Sequence, residues 1–149
     1  MWYTALAPEP RKLNRHNVYI VDVDQAVRDS VRMLIESDGL QAATFASAEA
    51  FLDNFPPGPR GCLILDVHMP GMNGVELLEH LHARGVFVPV IIVTAYKEEH
   101  LIKRALQAGA YAVVMKPFKD NELLQLIEQA IGWHSSDNHV SPSTRDTHT

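Results

Sequence analysis

The chain has 149 residues, a formal net charge of −5, 46% hydrophobic residues and one cysteine. That length suits one domain with a core of its own, and the acidic balance excludes a domain built to neutralise nucleic-acid phosphates. A lone cysteine excludes any disulfide or all-cysteine metal site within the chain, and no run approaches the roughly 18 apolar residues of a membrane span. Residues 1–14 carry Pro8, Pro10 and charges where a secretory leader needs an apolar core, so an N-terminal extension and a cytoplasmic protein are expected. The eight histidines are scattered without zinc-ligand spacing.

In chain order, Val18 to Val21 is a short β-branched run that ends in Asp22-Val23-Asp24. Gln25 to Ser37 follows as a helix, with Val27, Val31, Leu34 and Ile35 on one stripe and Asp24 as its cap. Gly39 stops it, and Gln41 to Phe45 is a weaker strand expected at a sheet edge. Ser47 caps a short helix that runs through Leu52, and the breakers Pro56, Pro57, Gly58 and Pro59 end that unit.

Gly61 to Asp66 is a continuous apolar run closed by a carboxylate and then a Pro/Gly/Asn loop, the pattern of a strand covered on both faces. Cys62 lies inside it and reads as a small buried hydrophobe. A third helix carries Val75, Leu77, Leu78 and Leu81 and stops near Gly85. Val88 to Thr94 is a second buried strand, and Lys97 to Ala108 a fourth helix. Tyr111 to Met115 is the fifth strand and runs into Lys116-Pro117-Phe118, after which Asp120 is expected to cap a final helix. Residues 15–133 thus form the domain, and 134–149 is expected to be a disordered tail.

Five strands alternating with five helices imply a doubly wound α/β fold with right-handed crossovers and a parallel sheet. Ligands of such sheets bind at the carboxyl ends of the strands, where Asp22, Asp66, Thr94 and Lys116 all fall. Each has a plain structural reading alone: either acid as a partner for Lys116, Thr94 as a routine strand residue, Pro117 as a turn former. Together they suit phosphoryl transfer. A carboxylate can attack phosphorus, and the transferred group needs its oxygens neutralised by a cation or a hydroxyl. Asp22 and Asp66 could also hold magnesium, which favours one or two carboxylates with water.

Leu65-Asp66-Val67-His68-Met69-Pro70 with Gly74, then Val93-Thr94-Ala95, then Met115-Lys116-Pro117-Phe118, resemble the receiver domain of bacterial two-component response regulators. Ser47-Ala48-Glu49-Ala50-Phe51-Leu52 and Gly74-Val75-Glu76-Leu77-Leu78 further resemble its FixJ-like branch, whose members usually continue into a DNA-binding module absent from this chain. The resemblance implies a flavodoxin-like sheet of order 2-1-3-4-5. It implies that Asp66 accepts phosphate from a histidine kinase or phosphotransfer protein, with Thr94 and Lys116 on the phosphoryl oxygens, so the chain is a phosphoacceptor rather than an enzyme. It also implies a cis peptide before Pro117 and magnesium held by Asp22, Asp66 and the backbone carbonyl near His68. His68 and Tyr96 occupy positions where the family tunes hydrolysis, and the 97–131 face is where its members form homodimers. No nucleic-acid or membrane partner is expected.

Two departures stand out. Val23 replaces the second of two adjacent acids, normally a direct metal ligand, so magnesium affinity is expected to fall, with Asp24 as a candidate substitute. Val113 stands where the family usually has Tyr or Phe, and Tyr111 and Tyr96 do not obviously replace it. The alternative to a phosphorylated receiver is a pseudo-receiver that binds proteins or dimerises without phosphorylation. Asp22-Val23-Asp24 also resembles the start of haloacid-dehalogenase-type phosphatases, but that family needs a later Gly-Asp pair, and the chain contains none.

Overall fold

A computed structural model describes residues 17–54 and 61–136. The leader 1–14, the Pro56–Pro59 breaker and the tail from 137 lie outside the described residues. Five strands, β1 (Asn17–Val21), β2 (Gln41–Phe45), β3 (Gly61–Asp66), β4 (Val90–Thr94) and β5 (Ala112–Met115), alternate with five helices. The helices are α1 (Gln25–Ser37), α2 (Ala48–Asp53), α3 (Gly74–Ala83), α4 (Glu99–Gln107) and α5 (Asp120–Ser136). The sheet is parallel throughout, in the order β2-β1-β3-β4-β5, as expected, with β2 at an edge.

Strand side chains alternate between two apolar layers. Val18, Ile20, Cys62, Ile64, Ile91 and Val93 pack with Val31 and Ile35 of α1 and Leu123 and Ile127 of α5. Tyr19, Val21, Leu63, Leu65 and Ile92 face the other way, against Phe51 of α2, Leu78 of α3 and Ala105 of α4. Every residue of β3 and β4 is buried, which accounts for their unbroken apolar runs. Cys62 is a core residue, and burial pushes its thiol up to about 12.

Several boundaries differ from the sequence reading. β4 begins at Val90 rather than Val88, because Pro89 has no N–H for the ladder, although its carbonyl still accepts from Leu63 N–H at 2.9 Å. α4 is shorter than 97–108, and β5 starts one residue later than Tyr111. Asp120 is the first residue of α5 rather than its cap, since the Lys119 carbonyl already accepts from Leu123 N–H at 3.2 Å. α5 also continues to Ser136, past the expected end at 133, because the lone Gly132 weakens a helix without stopping it.

Two glycines hold close approaches at opposite ends of β3. Gly61 has φ +115°, and a Cβ there would fall 1.8 Å from the Asn17 carbonyl oxygen. At Gly74 a Cβ would fall 2.3 Å from the carbonyl oxygen of Asp66, so only glycine lets α3 start directly under the end of β3.

Candidate functional site

β1 and β3 pair in register with Val21 beside Leu65, which sets the next residues, Asp22 and Asp66, on one rim. Both are nearly buried, at 4% and 8% exposure. From the other side, β5 pairs Met115 with Thr94, and the chain continues to Lys116. Lys116 Nζ lies 3.1 Å from Asp22 Oδ2 and 3.8 Å from Asp66 Oδ2. One ammonium thus lies between two carboxylates. Burial first, then the neighbouring Asp22 charge, holds the Asp66 carboxyl above its usual range, while Lys116 and the His68 N–H act in the opposite direction. The Lys116–Pro117 peptide is cis.

The remaining acidic oxygens are mostly committed. Asp22 Oδ1 accepts from Asp24 N–H at 2.8 Å, and the Asp22 carbonyl accepts from the Arg28 guanidinium at 2.7 Å. Asp24 Oδ1 accepts from Ala26 N–H at 2.9 Å and more weakly from Val27 N–H, so it caps α1 and is not brought to the site as a substitute ligand. Thr94 is buried at the rim, but its hydroxyl donates to the Tyr96 carbonyl and accepts from Tyr96 N–H, both at 3.1 Å. It is near the triad in the fold yet turned to its own loop.

Val23 is 45% exposed and supplies no oxygen where an acid would complete the pocket. Among the described residues, no group of three His, Cys, Asp or Glu side chains could hold a metal ion. The two carboxylates that meet here already face a shared ammonium. Asp22 and Asp66 are the residues that would hold a magnesium ion together with water, and Val23 leaves that set without a third carboxylate.

Loops complete the rim. His68 N–H reaches Asp66 Oδ1 at 3.4 Å, while its imidazole Nε2 lies 2.7 Å from Glu98 Oε1. The Tyr96 ring meets the His68 ring edge-on at 5.1 Å. Glu49 of α2 accepts from Met72 N–H at 3.1 Å and ties down the loop after β3. A groove of about 650 Å³ opens beside Lys116, between Val27, Ser30 and Leu34 of α1 and Pro117 and Phe118. Glu98, Glu49 and Arg28 were invisible to pattern reading, because each acts across loops or through backbone groups that periodicity does not encode.

Over residues 18–128 the chain matches the family described as response regulator receiver domain. The chain belongs to that family. Its relatives include the transcriptional regulatory protein FixJ of Azorhizobium caulinodans, 41% identical over 115 residues that make up 77% of this chain and 54% of that protein. The C4-dicarboxylate transport transcriptional regulatory protein DctR of Rhodobacter capsulatus is 41% identical over 119 residues, 78% of this chain and 60% of that protein. This receiver chain spans about half the length of the curated relatives it matches.

Solved structures agree. The crystal structure of FixJ-N superposes with a TM-score of 0.72 at 36% identity, covering 78% of this chain and 94% of that one. The response regulator StyR gives 0.77 at 37% identity, covering 88% of this chain and 66% of that one. No helix among the described residues of this receiver is long and apolar enough to cross a membrane.

Proposed function

We propose that this receiver accepts a phosphoryl group on Asp66 from the phosphohistidine of a sensor kinase or phosphotransfer protein. The observation that carries this is the convergence of Asp22, Asp66 and Lys116 at the carboxyl ends of three strands. A carboxylate oxygen of Asp66 forms the new O–P bond as the donor's P–N bond breaks. The departing imidazole nitrogen keeps the electron pair and takes a proton. Lys116 is the resident cation that offsets charge on the phosphoryl oxygens, and the Thr94 hydroxyl leaves Tyr96 to donate to one of them.

The chain is then a cytoplasmic signalling phosphoacceptor, with His68 and Tyr96 beside the acyl-phosphate and homodimerisation through the 97–131 face as its output. A magnesium ion held by Asp22 and Asp66 would offset further charge on the phosphoryl oxygens, and Val23 in place of an acid is expected to weaken its binding. An exposed valine next to Asp22, in place of an acid, favours a second reading, a pseudo-receiver that binds partners without phosphorylation. A small phosphodonor separates the two. A mass gain of about 80 daltons, lost in Asp66→Asn, is the outcome of the first reading. No gain in the wild type, even under saturating donor, is the outcome of the second.

A further inference from the structure

Glu98 is the N-cap residue of α4, yet its side chain makes no capping hydrogen bond. Helix N-termini leave backbone N–H groups without partners, and a side chain at the cap normally satisfies one of them. The caps of α1, α2 and α3 do so: Asp24 accepts from Ala26 and Val27, Ser47 from Ala50, and Asn73 from Glu76 in a full capping box. Glu98 instead holds a solvent-shielded Oε1 2.7 Å from His68 Nε2, a close contact without hydrogen-bond geometry. Its backbone N–H donates to the Tyr96 carbonyl at 3.0 Å, the same oxygen that accepts from the Thr94 hydroxyl at 3.1 Å.

Glu98 therefore touches both sides of the acceptor. Through His68 it reaches the residue whose N–H faces Asp66 Oδ1, and through Tyr96 it reaches the group that holds Thr94. We propose that Glu98 is a positioning residue of the phosphoacceptor site. Diverted from capping α4, it pins the His68 loop to the loop after β4 beside Asp66 and limits entry of water to the acyl-phosphate. The proposal rests on Asp66 as acceptor and adds a residue that touches neither the phosphoryl group nor its donor.

The diversion supplies its own control. Glu98→Ser gives α4 a good capping side chain while deleting the contact to His68, so a residue that served only the helix would lose nothing by the change. With phosphoryl-loaded protein and loss of the mass gain followed over time, Glu98→Ser is expected to melt no lower than the wild type. It is also expected to shed the group about threefold faster or more. His68→Ala should speed the loss similarly, and the double variant no more than either single one, since both delete one contact. Unchanged lifetimes in loaded Glu98→Ser, or additive effects in the double variant, would overturn the role of Glu98 while leaving Asp66 as acceptor intact. A wild type that takes up no phosphoryl group overturns both.

Discussion

At Asp66, low exposure and the nearby Asp22 charge outweigh the help of Lys116, so the folded protein holds this proton more tightly than the unfolded chain does. An acid whose folded pKa is raised lends its full stability below the unfolded carboxyl range. That stability is lost as pH rises through the folded value. Charged Asp66 is thus a destabilised group at neutral pH, a common cost of a reactive site. Asp66→Asn is expected to melt above the wild type at pH 7, with the gap closing as the pH falls below the ordinary carboxyl range. Circular-dichroism melts at the two pH values check this, and a gap that widens on acidification would contradict it. Asp66, Thr94 and Lys116 were legible in sequence because each lies at or just after the end of an apolar strand. The hydroxyl's engagement with Tyr96 was not legible, since a side-chain rotamer leaves no mark in periodicity.

Each element is fixed to the rim by a local device whose loss has its own magnitude. The start of α3 sits against the Asp66 carbonyl, so Gly74→Ala forces apart the helix and the acceptor strand. It should cost about 1–3 kcal/mol in urea denaturation, the usual range for overpacking. Asp24→Ala removes the α1 cap and should cost about 1 kcal/mol. A metal-ligand role for Asp24 would instead leave stability unchanged in the absence of divalent ions. Most helix spans were readable from stripes such as Val31 with Ile35 and from stops such as Gly39, while the sheet order followed only from the resemblance to receiver domains. The ends that moved, at Val90, Glu99 and Asp120, depend on hydrogen bonds made by Pro89, Tyr96 and Lys119 rather than on side-chain pattern. α4 was the hardest to delimit because its cap residue is engaged elsewhere.

For the whole molecule, two apolar layers, one on each face, hold the receiver sheet in place. Val23→Asp restores an acid at an exposed position on the rim. Magnesium should then raise the melting temperature of the variant more than that of the wild type. A ligand at 100 times its Kd contributes about 2.7 kcal/mol to the state that binds it. An equal magnesium response in both proteins would mean that the valine does not disable the site. The central claim is narrower: the phosphoryl group resides on Asp66. Acyl-phosphates are reduced by borohydride to the alcohol, so treating donor-loaded protein and sequencing its peptides by mass spectrometry locates the acceptor directly. The account predicts homoserine at position 66 and nowhere else. Homoserine at position 22 or 24, or none in a loaded sample, would contradict it.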